Sequence, residues 1–304
     1  MTNYGYCCIN LTLDKKGIKI GRGMIKRTFK AKGIEYAGEL AEMNIRDMIE
    51  IIKWNNNQGI KMYRMSSNLI PWMSEYELNE LPNYSTISNL LKGAGTLATK
   101  YGQRITFHPG QFNILPSPRP DVVEKTIKEL GQHGEIMDLM GLPRTQWAAI
   151  NIHVGGSYGD KDAAKTRFIK NFHRLDPSVK SRLVLENDDK AAQYSVEDLH
   201  EIWESCGTPI TFDYHHHRCY HDPMPEKEAL ELAASTWPDG IRQLCHYSSA
   251  KKLHEDASVI MRAHADYVYE CINDYGMDLD IEIEAKAKEL ALQKYVKQFE
   301  EVLI

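Results

Sequence analysis

The 304-residue chain is 42% hydrophobic and 26% charged, with a formal net charge of −5. These proportions support a buried core and exclude wholesale disorder, and no apolar run approaches the roughly 18 residues of a membrane span. The N-terminus shows no basic-then-apolar leader, and Cys7, Cys8, Cys206, Cys219, Cys245 and Cys271 show no CxxC spacing. The expectation is a protein with free thiols in a reducing compartment, cytoplasmic or nucleoid-associated.

In chain order, the first β-rich apolar run is 4–10, YGYCCIN. Residues 15–33 follow, with eight Lys/Arg and no Asp or Glu against the acidic total. A solvated loop and a phosphate-contacting loop both fit such a run, and charge alone does not choose. Helical periodicity over 38–58 leads to a second strand pattern at 60–66, and helix 86–101 leads to a third at 104–108. The loop HPGQFNILPSPRP, 108–120, holds four of the twelve prolines, which stiffen it. Gln111 and Phe112 stand at its tip. Phe112 is either tucked beneath the loop or a wedge able to enter a base step, as apolar side chains do in proteins that kink DNA.

Helix 121–140, strand 147–153, the glycine-rich stretch 153–162 and helix 162–173 come next. Strand and helix then alternate as 182–187, 195–206, 209–215, 226–235, 242–248, 258–275, 279–285 and 286–300. Asp121 after Pro120, and Ser195, have the character of helix starts. Eight strands alternating with eight helices predict an α/β fold of the (β/α)8 TIM-barrel type. We read 1–304 as a single domain, with 15–33 and 108–120 as insertions on the C-terminal face.

In Ile150-Asn151-Ile152-His153 and Ile281-Glu282-Ile283-Glu284 polar and apolar residues alternate. With period two, the isoleucines face the helices and the polar residues face the barrel axis. Polar side chains at such positions are costly unless paired or metal-bound. The strand exits carry Asn10, Ser66, His108, His153, Glu186, Asp213 with His215 to His217, His246 and Glu284, and His264 lies just beyond the seventh strand. His133, His173, His200, His221 and His254 fall in helices or loops and are read as structural. Imidazoles mixed with carboxylates suit Zn²⁺, Mn²⁺ or Fe²⁺. About eight ligands exceed the coordination of one ion, so two or three metals with a bridging carboxylate are implied. Such metal groups stabilise the attacking and leaving oxygens of an in-line phosphoryl displacement. A sugar isomerase on the same fold would also use divalent metals, with fewer imidazoles.

These residues resemble the UV damage endonuclease family, metal-dependent barrels related to endonuclease IV. The resemblance rests on NLTL (10–13), YRMSSNLIPW (63–72), HPGQF (108–112), INIHVGGSYGDKDAA (150–164), LENDD (185–189), FDYHH (212–216), HYSS (246–249), HADYV (264–268) and IEAK (283–286), in this order. It implies an enzyme that nicks duplex DNA immediately 5′ of UV photoproducts, leaving a 3′-hydroxyl and a 5′-phosphate. It implies that His108 and His153 hold one metal, that Glu186 bridges to a second held by Asp213, His246 and Glu284, and that His216 and His264 hold a third. Mn²⁺ is the implied ion, with Zn²⁺ or Co²⁺ as substitutes. Tyr6 and Asn10 resemble lesion-pocket residues, and Gln111 with Phe112 resembles the pair that probes the duplex opposite the damage.

Of the three consecutive histidines the family pattern selects His216, whereas strand alternation favours His215. Many members carry tyrosine at position 112. Glu186 and Glu75 are taken as the catalytic carboxylates, although some members carry a histidine at position 75. Some also carry a modifiable lysine where this chain has Leu244, so any such role is absent or passes to other groups. The implied partner is damaged double-stranded DNA, bound by a monomer with no nucleotide-triphosphate site and no membrane association. Alternatives are an abasic-site endonuclease of the endonuclease IV type, a metal-dependent sugar isomerase, and a lesion-binding protein without catalysis.

Overall fold

Residues 2–220 and 222–300 are described in the computed structural model; His221 lies outside the described residues. Eight strands close into one barrel: Asn3–Cys7 (β1), Met62–Met65 (β2), Arg104–Phe107 (β3), Ile150–His153 (β4), Leu183–Glu186 (β5), Ile210–Asp213 (β6), Leu244–Tyr247 (β7) and Asp280–Ile283 (β8). Each overlaps the strand predicted for it. All neighbours are parallel, and β8 returns to β1 with Asn3 opposite Asp280. The chain is a single-domain (β/α)8 barrel.

The period-two pattern sorts the side chains as expected. Ile150, Ile152, Ile281 and Ile283 join the core between strands and helices. The polar residues between them face the axis: the Thr106 hydroxyl on β3 reaches Glu282 on β8, and the Asn151 amide reaches Glu186. Lower in the barrel, Met62, Ala149, Val184, Leu244 and Trp237 form a separate apolar layer. Arg104 crosses this layer at 3% exposure, pairing with Asp280 at 2.8 Å and donating to the carbonyls of Gln146, Trp147 and Arg242. Those partners offset the cost of burying its charge.

Three local expectations are corrected. The basic run is a loop only as far as Ile25, because the helix Lys26–Asn57 starts well before residue 38. It bends at Gly33 (φ 69°), a left-handed conformation that glycine adopts without strain. The strand predicted over 209–215 stops at Asp213, where the chain turns directly into the helix Tyr214–Tyr220. The segment 258–275 forms no helix among the described residues. Its backbone bonds sideways instead: Lys251 N–H donates to Ala263 O, Ala265 N–H to Ser249 O, and Lys286 N–H to Ala265 O. A helix would have satisfied those groups internally, so tertiary pairing has overridden the local pattern. The final helical pattern is realised as Glu289–Tyr295 continuing into a π-helical turn, Val296–Glu300.

Candidate metal centre and its rim

Parallel strands deliver their last residues to one end of the barrel, and there the predicted histidines and carboxylates meet. His108 follows β3, His153 ends β4, Glu186 ends β5, Asp213 ends β6, His246 lies in β7 and Glu284 follows β8. His216 arrives differently. Because the chain enters a helix at Tyr214, His216 sits one turn beyond Asp213 and its backbone N–H donates to the Asp213 carboxylate at 2.7 Å. Strand alternation no longer applies there, which is why His216 rather than His215 faces the centre. His215 lies beside Cys219 and the His264 ring. His264 comes from the irregular segment after β7, held by its bridge to Ala250.

Glu186, 1% exposed, is the hub. Its Oε2 is 2.8 Å from His108 Nε2 and 3.7 Å from His153 Nε2. Its Oε1 is 3.1 Å from His246 Nδ1 and 3.2 Å from His216 Nδ1. Two triples result, His108–Glu186–His246 and His153–Glu186–His216, each with donor atoms within 4.8 Å of one another. Sharing Glu186, they suit divalent ions bridged by one carboxylate. His108 stands between two of these partners, its ring 5.5 Å from that of His153 and 5.8 Å from that of His246, so the pairing of His108 with His153 that the resemblance implies is also available. Asp213, Glu284 and His264 flank the triples: Asp213 Oδ2 is 3.8 Å from His216, Glu284 Oε1 3.4 Å from His246, and His264 3.6 Å from Glu284.

The donor set fits a divalent metal on two further grounds. Three histidines have Nδ1 within hydrogen-bond reach of a carbonyl oxygen, His108 to Pro109 O, His216 to Asn187 O and His264 to Glu284 O, and the Asp188 carboxylate lies 3.0 Å from His153 Nδ1. Such contacts fix tautomer and ring orientation in metal-ligating histidines. Secondly, buried Glu186 Oε1, Asp213 Oδ2 and His246 Nδ1 have no hydrogen-bond partner, and His153 Nδ1, Asn151 Oδ1, Glu282 Oε2 and Arg64 Nε beside them have none either. Orphaned buried polar atoms are rare, and a bound ion satisfies them.

The electrostatics agree. Burial opposes ionisation of Glu186, but the His246 and His153 charges, the hydrogen bond from His108 and the close approach of His216 outweigh it and hold the carboxyl well below its ordinary range. Burial likewise opposes protonation of His246, and Glu186, Glu282 and Glu284 reverse that, pushing it up to about 10. The centre attracts cations strongly.

Several residues that sequence reasoning did not single out shape this centre. Arg64 pairs with Glu284 at 2.5 Å and lies 3.4 Å from Glu282. Asp188 backs His153, and the Asn151 amide bonds Glu186. Asn151 and Glu282 carried a signal in their inward register, Asp188 stands in the LENDD stretch and Arg64 in YRMSSNLIPW. Leu244 faces inward in the apolar layer below His246, and the carboxylate that reaches His246 from beneath belongs to Glu282.

Other predicted residues are placed elsewhere. Tyr6 is fully buried, its hydroxyl donating to Asn55 Oδ1 and accepting from Asn10. Asn10 is 1% exposed and caps the short helix Leu11–Asp14. Neither reaches the opening. Glu75 is exposed at the end of a 3-10 turn, Met73–Glu75, and belongs to neither triple.

A cavity of about 520 Å³ opens above the centre, lined by His108, His153, His216, Glu284 and Gln111. Phe112 is 80% exposed, so it is not tucked beneath its loop. The loop is braced from behind, with the Asn113 amide bonding Gly110 O and Glu129 and Ile114 N–H bonding the Thr126 hydroxyl. Gly155 (φ 103°) packs against Ile114, where a Cβ would lie 3.0 Å from the isoleucine. Lys15, Lys16, Lys19, Lys26, Arg27, Lys30 and Lys32 are open to solvent to varying degrees, while Arg22 is held by Asp47 at 2.7 Å. Among the described residues no helix is long and apolar enough to cross a membrane.

A family model described as UV-endonuclease UvdE matches residues 2–303. The chain belongs to this family. As a UvdE-family chain it is 34% identical over 306 residues to a UV-damage endonuclease of Schizosaccharomyces pombe, covering 97% of this chain and 50% of that protein. It is 37% identical over 282 residues to a UV-damage endonuclease of Neurospora crassa, covering 88% and 42%. The chain thus spans half or less of these two fungal relatives. Its fold superposes on the crystal structure of SacUVDE with a TM-score of 0.85 at 31% identity, covering 99% of both chains.

Proposed function

We propose that this UvdE-family chain is a metal-dependent endonuclease that nicks damaged duplex DNA immediately 5′ of UV photoproducts, pyrimidine dimers and 6-4 products, leaving a 3′-hydroxyl and a 5′-phosphate. The observation that carries this reading is the Glu186-centred pair of histidine triples beside a cavity lined by His108, His153, His216 and Gln111, with the neighbouring Phe112 80% exposed. The family membership and the names of the two fungal relatives support it.

His108, His153, Glu186, His216 and His246 would hold the ions, with Asp213, Glu284 and His264 completing the set; Mn²⁺ is the proposed native metal. Divalent ions at such a centre supply activation of the nucleophile and stabilisation of the leaving oxygen in phosphoryl transfer. The chain's own contribution is binding and placement. Exposed lysines and arginines of 15–33 meet backbone phosphates and release counterions. Phe112 enters the duplex at the lesion, where stacking is already weakened, and Gln111 contacts the bases so exposed. We assign Glu186 the central catalytic role as the bridging ligand, and give none to Glu75, Tyr6 or Asn10.

The deciding experiment is incubation with end-labelled duplexes carrying a pyrimidine dimer, a 6-4 product, an abasic site or no lesion. Nicking confined to the photoproduct strands, at the phosphate 5′ of the lesion, is expected. Nicking of the abasic duplex alone would replace this reading with the endonuclease IV type.

A further inference from the structure

The geometry points to Glu282 as the residue that positions His246 for metal binding; this rests on reading the centre as a divalent-metal site. Glu282 is fully buried on β8, opposite His246 in the β7–β8 register. The Thr106 hydroxyl donates to its Oε1. Its Oε2 lies 3.1 Å from His246 Nε2 and has no hydrogen-bond partner. His246, equally buried, turns its other nitrogen upward, with Nδ1 3.1 Å from Glu186 and 3.4 Å from Glu284.

An imidazole that ligates through Nδ1 carries its proton on Nε2, and a buried N–H requires an acceptor. Glu282 Oε2 is placed to be that acceptor. Arg64 Nη1 lies 3.5 Å from the same nitrogen but offers only protons, and its shorter contact is to Glu284. His108 and His153 turn Nε2 toward Glu186, whereas His246 turns Nδ1 toward it and points Nε2 down to Glu282. A carboxylate in this role also raises the basicity of the ligand, where a carbonyl does so less. Were Glu282 present only to balance Arg64, the state of the His246 proton would be indifferent to it.

The test uses full-length wild type, Glu282→Gln, Glu282→Leu and, as a control from the layer below, Asp280→Asn. Each is stripped of metal and titrated with Zn²⁺ against a chromophoric chelator, and each zinc-loaded protein is examined by ¹⁵N-edited NMR of labelled histidine. In wild type we expect a slowly exchanging Nε2–H resonance that is absent from His246→Gln. Glu282→Leu should lose this resonance and bind Zn²⁺ about 10- to 100-fold more weakly. Glu282→Gln keeps an acceptor oxygen without the charge; it should retain the resonance and lose severalfold in affinity. Asp280→Asn should lower the melting temperature of the metal-free protein and leave both readouts unchanged. Wild-type affinity in Glu282→Gln, or a retained resonance in Glu282→Leu, overturns the assignment. If the leucine variant does not fold, the glutamine variant decides by its affinity. A wild-type protein that takes up no zinc would instead remove the metal reading of the centre, and this inference with it.

Discussion

Glu186 Oε1 and His246 Nδ1 face each other across 3.1 Å, both on buried side chains and neither in a hydrogen bond. β5 and β7 bring them there from distant parts of the chain. A divalent ion held by both side chains would satisfy these two atoms together.

Removing the ions should silence the centre without unfolding the barrel. Dialysis against a chelator is expected to abolish nicking of a dimer-containing duplex, and Mn²⁺ to restore it. Glu186→Gln keeps the shape of the side chain and removes the charge that would hold the cations. It should lower turnover by about 10²-fold or more, since preorganised charge stabilisation is a dominant catalytic contribution. Bound metal, measured by elemental analysis, should fall in parallel. Full activity in this variant would exclude Glu186 from the reaction.

The basic segment should act on every duplex alike. Lys15, Lys26 and Lys30 are exposed, whereas Arg22 is held by Asp47, so the triple change to Gln is best made at the three lysines. Binding to damaged and undamaged DNA should weaken together. The slope of log K against log salt should flatten by up to about 0.9 for each phosphate that is no longer neutralised. An unaltered slope would leave these lysines as a solvated face.

Lesion choice should reside in the loop tip. Extruding the bases of a photodimer costs less than extruding an intact step, where the full few kcal/mol of unstacking must be supplied. Phe112→Ala is therefore expected to reduce damage-specific nicking far more than nonspecific affinity, with metal content unchanged. Gln111→Ala combined with Phe112→Ala should lose most of the preference for dimer over undamaged duplex. Competition binding with both duplexes measures this directly; a uniform loss of activity with intact preference would make the loop structural support only.

Tyr6 should behave as a core residue. Tyr6→Phe leaves the buried Asn55 Oδ1 and the Asn10 amide without their partner. A denaturation titration should show a loss of about 1–3 kcal/mol. The ratio of dimer to undamaged nicking should stay at its wild-type value. A changed ratio with unchanged stability would return Tyr6 to the lesion pocket.

Much of the barrel was legible because its signals are local. Alternation of period two over INIH and DIEIE is a property of a few adjacent residues, and it assigned both the outward isoleucines and the inward carboxylates. Ser195, read as a helix start, does cap its helix, in a capping box with Asp198. The segment 258–275 misled because its apolar residues recur at a spacing compatible with a helix, while its backbone is satisfied by 249–251 and 285–287. Glu75, where some family members carry a histidine, lies exposed in the 3-10 turn Met73–Glu75, a placement its position in the chain did not announce.

From residue order alone came the eight-strand barrel, its polar axis, and the identity of the histidines and acids that gather at its C-terminal end. Which of them stand together was decided by closure of the barrel. His108 meets both His153 and His246, and His153 meets His216, because strand ends converge at distances no spacing in the chain encodes. Closure also buried Arg64 among glutamates and set Glu282 beneath His246. Side-chain direction along a strand is set by the pleat and is local; the neighbour across the axis is set by curvature summed over eight strands, and only the folded chain contains it.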